Sequence, residues 1–364
     1  MWESHLRSIR KVRALKIRGR LALLLSVILL LCGCQSQEQG GNEKVDVTEK
    51  KITIGMSFDS FVIERWQKDR DVFVSMAKEM GAEVNVQNAN GDLEEQKKQI
   101  EYFIDKGMDA IVIICIDSDG LSDTVKKAKD AGIKVVAYDR LIHEADVDLY
   151  VSFDNYEVGT IMANNLVDNG LAGGKVIMLE GPLTDDNVRQ IEDGFGKVMT
   201  ENQIEILDTM HCDGWRAELA GEYVYNNLDL IEETDAIMCG NDNLATRVVH
   251  ALAENRMADR IMVVGQDADL EACQRIVEGT QVMTVYKPVE KLATRAAQCT
   301  ISLIMNEKIE GDDVTVANDG KYDVPYVKLD PIAVTADNMN EVIINSGFHL
   351  KEDVYLNVPS KMPE

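Results

Sequence analysis

Residues 110–138 read AIVIICIDSDGLSDTVKKAKDAGIKVVAY, and this stretch decides the fold class. Its first part, Ala110–Cys115, is a continuous apolar run, as expected for a β-strand that is buried on both faces. A helical pattern over 121–131 follows and ends at Gly132. Because Ile133–Tyr138 is a second apolar run, the stretch predicts a strand–helix–strand unit of a parallel sheet.

The same alternation of strand and helix continues on both sides of this unit. Further strands are predicted at Ile52–Ser57, Glu83–Gln87, Lys175–Leu179, Ile204–Asp208, Ala236–Cys239, Ile261–Val264 and Val282–Val285. Strands and helices that alternate in units of roughly 30 residues indicate an α/β fold, with parallel sheets covered on both faces.

About ten strands are too many for one doubly wound domain, so two α/β lobes are predicted for this chain of 364 residues. We expect the chain to enter the second lobe near Asp154, to return near Asp267 and to cross again near residue 318. The predicted first lobe is 51–153 plus 268–318, and the predicted second lobe is 154–267 plus 319–364.

The charge of the chain is divided unevenly along its length. Residues 1–33 hold seven basic residues and one acidic residue, whereas the chain from Cys34 onward holds 31 basic and 62 acidic residues. Its net charge of −31 repels phosphate backbones, which argues against nucleic acid as a partner.

The first 34 residues have the layout of an export signal. A basic stretch ends at Arg20, and the apolar run Leu21–Leu31 and then Cys32-Gly33-Cys34 follow it. The alternative, a retained membrane helix, needs about 20 apolar residues. Leu31–Cys34 resembles a bacterial lipobox, which makes Cys34 the predicted lipidation site after removal of residues 1–33. The polar segment 34–50 is then a flexible tether.

Motifs of enzymes and metal sites are absent from the sequence. Gly174-Lys175 resembles part of a phosphate loop, but Asn169 and Val176 stand where that loop needs Gly and Ser or Thr. The histidines are isolated, and the five cysteines that follow Cys34 form no CxxC pair. The sequence therefore predicts a protein that is not an enzyme and has no cofactor, structural disulfide framework or metal site.

Polar and aromatic side chains follow almost every predicted strand. Ligands of open parallel sheets bind beyond the carboxyl ends of the strands, so these side chains are candidates for one site. The residues in question are Arg65, Trp66, Asp139, Arg140, Asp185, Asn187, Trp215, Asn241, Asp267 and Lys287. Planar carboxylate, amide and guanidinium groups suit adjacent sugar hydroxyls, and indole rings suit the C–H face of a pyranose. The balance of acids and bases favours a neutral polyol.

Several residues at the strand ends also have a purely structural interpretation. Asp154 and Asp242 are candidate helix caps, and Trp66 is a candidate core residue. Asp139-Arg140 suits an ion pair between the lobes, and Lys287-Pro288 suits the start of a helix.

Five segments are similar to the sugar-binding proteins of bacterial ABC importers, and the resemblance extends from about Ile52 to Leu350. They are Glu64–Asp71 (ERWQKDRD), Ala137–Arg140 (AYDR), Ser152–Asn155 (SFDN), Gly265–Asp269 (GQDAD) and Thr284–Pro288 (TVYKP). ERWQKDRD and GQDAD are typical of the xylose branch of that family.

The resemblance implies a type I periplasmic binding protein fold, in which two lobes joined by a three-strand hinge close on one monosaccharide. It implies that the ten strand-end residues contact the sugar, that D-xylose is the ligand, and that an ABC permease and ATPase are the partners. With the lipobox, it implies a lipoprotein on the outer face of the cell membrane of a Gram-positive bacterium.

Two departures from the family pattern concern the expected sugar. Cys115-Ile116-Asp117 replaces an expected Pro-Tyr-Asn, and Asp186 stands where Asn is expected. Glucose, ribose and galactose therefore stay open as ligands, and a membrane histidine kinase stays open as the partner. A repressor of the lactose-repressor type shares the fold, but residues 1–50 contain no DNA-binding helix-turn-helix pattern.

Overall fold

The computed structural model describes residues 51–363, and two β-sheets organise this part of the chain. Its strands are β1 (Ile52–Phe58), β2 (Ala82–Asn88), β3 (Ala110–Ile113), β4 (Lys134–Tyr138), β5 (Leu149–Phe153), β6 (Lys175–Glu180), β7 (Glu205–His211), β8 (Ala236–Cys239), β9 (Met262–Gln266), β10 (Met283–Tyr286), β11 (Val314–Asn318), β12 (Asp323–Leu329) and β13 (Ile332–Val334). The predicted signal, tether and lipidation site lie outside the described residues.

Helices fill most connections between the strands. They are α1 (Arg65–Glu79), α2 (Leu93–Asp105), α3 (Ser122–Asp130), α4 (Asn155–Leu166), α5 (Asp186–Glu201), α6 (Ala217–Asn226), α7 (Leu228–Glu232), α8 (Asp242–Glu254), α9 (Leu270–Glu278), α10 (Val289–Ile304) and α11 (Lys351–Val354). No helix within residues 51–363 is long and apolar enough to cross a membrane.

The two sheets confirm the predicted α/β fold with two lobes. The first sheet has the strand order β11-β12-β5-β4-β3-β1-β2, and the second has the order β13-β10-β9-β8-β6-β7. Neighbouring strands are parallel, except that β11 and β13 run antiparallel to their neighbours. Every residue of β3 and of β8 is buried, as expected for strands that helices cover on both faces.

The chain passes between the sheets three times, but two of the passes lie elsewhere than predicted. The first pass follows β5, as expected. The predicted return near Asp267 is wrong, because β10 pairs with β9 in the second sheet and the return follows Tyr286. The predicted crossing near residue 318 is also wrong, because β12 pairs with β5 in the first sheet. Helix α10 then packs on α1, and the last pass leads from β12 to β13.

The two candidate helix caps behave differently. Asp154 is the N-cap of α4, and its side chain accepts a hydrogen bond from the backbone N–H of Glu157. Asn241, rather than Asp242, caps α8. Asp242 instead accepts hydrogen bonds from Thr284 Oγ1 at 2.6 Å and Gln281 Nε2 at 2.8 Å, so it fastens α8 to β10.

The five cysteines of the described chain are all free and buried. Burial raises the pKa of each thiol, and for Cys212 it raises the pKa to about 12. At neutral pH these side chains are therefore protonated, apolar parts of the core.

Candidate functional site

All ten residues predicted from the strand ends line one small cavity between the carboxyl ends of the two sheets. The cavity is small and is enclosed by side chains of both lobes. Two further residues, Ile63 and Gln266, also line it. Every lining side chain is at most 7% exposed, so the two lobes are closed around the cavity.

Both lobes contribute to the lining. The first lobe supplies Arg65 and Trp66 from the start of α1 and the pair Asp139-Arg140 from the end of β4. The second lobe supplies the remaining predicted residues except Lys287, which lies on the pass from β10 to α10. Pro288 is the N-cap of α10, which agrees with the structural interpretation of Lys287-Pro288.

Arg65 is surrounded by three carboxylates. Its Nε and Nη2 donate to Asp69 at 3.1 and 3.2 Å, and Nη2 lies 3.0 Å from Asp139 Oδ2. Its Nη1 lies 3.8 Å from Asp267 Oδ1, across the cleft. Burial opposes the charge of Asp139, but the neighbouring cations, above all Arg65, hold the pKa of that carboxyl below its usual value. Asp139 therefore stays ionised in the closed site.

Arg140 joins the two lobes in the same way. Its Nη1 donates to Asp59 Oδ2 at 2.8 Å and to the Cys115 carbonyl oxygen at 2.9 Å. Its Nε lies 2.7 Å from Asp185 Oδ2, without the alignment of a hydrogen bond. These contacts agree with the prediction of an ion pair between the lobes, except that Asp185, not Asp139, is the partner of Arg140.

The two tryptophans are held in different ways. The Trp66 ring centroid lies 4.6 Å from Arg65 Cζ and 5.6 Å from Arg140 Cζ, so two guanidinium groups pack on the indole. Trp215 donates from Nε1 to Asp185 Oδ2 at 3.2 Å. Its ring lies against Gly181, where an added Cβ would be only 2.2 Å from Trp215 Cζ2. Only glycine allows this approach.

Several polar atoms of the lining are buried without a hydrogen-bond partner in residues 51–363. They are Trp66 Nε1 and Gln266 Oε1, together with Asp139 Oδ2 and Arg140 Nε, which have only the ion-pair contacts with Arg65 and Asp185 described above. Buried polar atoms nearly always have partners, so unpaired atoms around one cavity favour a ligand with several hydroxyl groups.

The backbone is strained at three lining residues. Asp139, Trp215 and Asp267 have φ values of 65°, 57° and 96°, in the left-handed region that disfavours side chains. Asp139 and Asp267 each follow the last residue of a strand, and the turn directs each carboxyl into the cleft. Strain of this kind concentrates at functional sites.

The two departures from the family pattern lie beside the cavity rather than in its lining. Cys115 contributes its carbonyl to Arg140, whereas Asp186 faces the first lobe. His143 of the first lobe lies between Asp119, 2.7 Å from Nδ1, and Asp186, 3.1 Å from Nε2. Both ring nitrogens face carboxylates, which raises the pKa of His143 to about 9. Asp186 therefore forms an ion pair between the lobes.

We expect this ion pair to disappear at alkaline pH. The folded pKa of about 9 is above the ordinary value of 6.5, so the stabilisation is complete below about pH 6.5 and is lost as the pH rises through 9. His143→Gln should lower the melting temperature at pH 7 and leave it nearly unchanged at pH 10. Thermal unfolding at both pH values tests this. An equal difference at the two values would contradict it.

Sequence reasoning missed the residues that support the lining. Asp69 lies four residues after Arg65 in α1, which is the spacing of an ion pair on one helix face. Asn155 donates to Asn187 Oδ1 at 2.9 Å, and Asn187 donates to Asp139 Oδ1 at 3.0 Å. The (i, i+4) spacing could have revealed Asp69, whereas no sequence signal connects Asn155 with Asn187.

Comparison with known proteins agrees with this arrangement. The D-xylose-binding periplasmic protein of Haemophilus influenzae is 43% identical over 311 residues, 84% of this chain and 93% of that protein. The D-xylose-binding periplasmic protein of Escherichia coli is 40% identical over 310 residues, 84% of this chain and 93% of that protein. A carbohydrate transporter solute binding protein from Chloroflexus aurantiacus, crystallised with D-glucose, has a TM-score of 0.76 and 27% identity, covering 84% of this chain and 98% of its own.

A family model described as "Periplasmic binding protein domain" matches residues 54–308, which include every lining residue of the cavity. Together with the two relatives above 30% identity, this match shows that the chain belongs to the periplasmic binding protein domain family.

Proposed function

We propose that this chain binds D-xylose in the cavity between its lobes, outside the cytoplasm, and delivers it to an ABC importer. The observation that carries the proposal is the convergence of ten polar and aromatic side chains from both lobes on one closed cavity. As a periplasmic binding protein whose relatives are named as binding proteins, the chain is not an enzyme.

The charges of the cavity favour a neutral ligand. Arg65, Arg140 and Lys287 are balanced by Asp139, Asp185 and Asp267, so the lining has no net charge. Burial lowers the pKa of Lys287, and the carboxylates of Asp267 and Asp139 oppose this effect. A charged ligand would leave one buried charge without a counterion, whereas sugar hydroxyls both donate and accept.

The similar sequences support a single pentose as the ligand. Two relatives at 43% and 40% identity bear the name of D-xylose-binding proteins. The solved relative with D-glucose makes that hexose the second candidate, with one hydroxymethyl group more to accommodate.

Titration calorimetry of the purified protein with xylose, glucose, ribose, galactose and arabinose tests the proposal. We expect D-xylose to bind most tightly, with one sugar per chain. Tighter binding of glucose would support the second candidate. Absence of heat with all five sugars would contradict a monosaccharide site.

The lobes must separate before a sugar enters, because no lining side chain is more than 7% exposed. Contacts between the lobes hold the closed form, including Ser118 N–H to the Thr184 carbonyl at 2.8 Å and Asn187 to Asp139 at 3.0 Å. A sugar that touches both lobes stabilises that form, whereas the sugar-free protein can hinge at the three passes.

We therefore expect the radius of gyration to decrease when sugar binds. Small-angle X-ray scattering with and without saturating D-xylose measures it. Scattering with a sugar that does not bind serves as the control, and an unchanged radius with bound xylose would count against hinge closure.

Lipid attachment at Cys34 is part of the proposed function, since it would hold the protein beside the importer. Cys34→Ala removes the acceptor thiol, so we expect the variant to remain unlipidated. Membrane fractionation after alkaline extraction measures this, with Cys32→Ala as the matched control that keeps the attachment. A Cys34→Ala protein that still resists extraction would refute the lipid site.

The importer is proposed in preference to a membrane histidine kinase, because the relatives at 43% and 40% identity are periplasmic binding proteins for a sugar. Reconstituted permease and ATPase should transport xylose only when this protein is present. Sugar-dependent kinase activity without transport would favour the alternative.

A further inference from the structure

Three side chains capable of binding a metal ion meet in the second lobe, outside the sugar cavity. Glu180 ends β6, His211 ends β7, and the two are direct partners in the parallel register. Glu192 approaches them from α5. One ligand atom from each of the three lies within 4.8 Å of the others.

The tautomer of His211 is fixed by the backbone. Its Nδ1 lies 3.1 Å from the carbonyl oxygen of Gly181, which can only accept, so Nδ1 carries the proton. The lone pair of Nε2 is then directed toward Glu192 Oε1, 3.4 Å away. In a metal-binding histidine, one imidazole nitrogen usually donates its N–H to a carbonyl or a carboxylate, and the other nitrogen binds the metal.

Glu180 is the second, independent observation. It is only 1% exposed, and neither carboxylate oxygen has a hydrogen-bond partner within residues 51–363. Burial and the neighbouring Glu192 both raise its pKa. The carboxylates of Glu180 and Glu192 and the Nε2 lone pair of His211 are all acceptors. Placed together around a buried carboxylate, they require a cation or a proton.

We propose that Glu180, Glu192 and His211 bind a divalent transition-metal ion, with Zn²⁺ preferred. One imidazole nitrogen and two carboxylates match the ligand chemistry of Zn²⁺, whereas Ca²⁺ and Mg²⁺ prefer oxygen ligands alone. The ion would neutralise the two carboxylates. Glu192 and His211 are 26% and 28% exposed, which leaves a path from solvent and room for a further ligand.

The proposed metal site is distinct from the sugar site but adjacent to it. None of its three residues lines the cavity. Gly181 connects the two sites, because its carbonyl orients His211 and its α-carbon supports the Trp215 indole. Metal binding can therefore be tested in the absence of sugar, and its result does not depend on whether D-xylose is the ligand of the cavity.

Titration calorimetry with ZnCl₂ tests the proposal on purified, metal-free, sugar-free protein. We expect one Zn²⁺ per chain, with affinity lowered about a hundredfold or more by His211→Ala and by Glu192→Gln. His250→Ala is the matched control, because His250 is exposed on α8 away from carboxylate partners in the described chain, and it should keep the parent affinity. Co²⁺ should give the visible absorption bands of a protein-bound ion in the parent and in His250→Ala, but not in His211→Ala or Glu192→Gln.

Two results would overturn the proposal. The first is parent protein without a Zn²⁺ site, which means that Glu180 holds a proton instead of sharing a metal ion. The second is equal Zn²⁺ affinity in the parent and Glu192→Gln, which means that binding occurs elsewhere. Glu192 is half-buried on α5, so Glu192→Gln remains informative even if His211→Ala fails to fold.

Discussion

Asp267→Ala is expected to weaken D-xylose binding by about a hundredfold or more. Two charged hydrogen bonds to sugar hydroxyls contribute about 1.5–3 kcal/mol each, and their loss in a closed cavity corresponds to at least two powers of ten. The turn that follows β9 directs the Asp267 carboxylate into the cleft, where Oδ1 lies 3.8 Å from Arg65 Nη1. The alternative role for Asp267, capping the helix that starts near Ala268, does not agree with the structure, because Asp269 occupies the N-cap position of α9 and makes no side-chain capping hydrogen bond there.

Two companion variants make this test specific. Asp267→Asn keeps the shape and part of the hydrogen bonding, so its affinity should lie between those of the parent and Asp267→Ala. Asp154→Ala removes a true helix cap outside the cavity, which should cost about 1 kcal/mol of stability and leave binding within threefold. Calorimetry and thermal unfolding measure both quantities. Parent-like xylose binding by Asp267→Ala would refute the assignment.

Arg65→Met is expected to lower the free energy of unfolding by about 3–5 kcal/mol. The substitution keeps much of the side-chain volume but leaves Asp69 and Asp139 buried without their main counterion. Burial already raises the pKa of Asp69 despite the presence of Arg65, so a variant without the guanidinium should bind protons more readily. Denaturation in urea at neutral pH measures the loss.

The same helix provides the control for Arg65→Met. Arg70 pairs with Asp71 at the protein surface, so Arg70→Met should change the free energy of unfolding by less than about 1 kcal/mol. Adding Asp69→Asn to Arg65→Met should restore part of the stability, because it removes one of the unpaired charges. A loss for Arg65→Met no greater than that for Arg70→Met would contradict the proposed role.

The candidate site was predictable because its position follows from a rule of parallel sheets. Side chains that follow strands meet at one edge, so residues as far apart in the chain as Arg65 and Lys287 could be grouped from the sequence alone. Gln266 was visible in the same way, since it ends β9. The roles of these residues in sugar binding stay predictions.

The sheet to which a strand belongs was harder to predict. The apolar patterns of β10 and β12 do not indicate which sheet each strand joins. The sheet is determined by the strands with which they pair, β9 and β5, through contacts between residues distant in sequence. The crossings near 267 and 318 were misplaced for this reason. The Glu180–Glu192–His211 cluster was also invisible, because its spacing of 12 and 19 residues matches no metal motif and only the register of β6 and β7 assembles it.

The burial of the five cysteines within residues 51–363 has a practical consequence for fluorescent labelling of this protein. A maleimide dye added to the purified protein would find no accessible thiolate among residues 51–363. One cysteine introduced at exposed Asp119, close to the contact between His143 and Asp186, would then be the one accessible thiol of residues 51–363. The fluorescence of the dye would then report the opening and closing of the lobes. The buried cysteines of residues 51–363 would not be labelled, which suits the protein to a fluorescent sugar sensor.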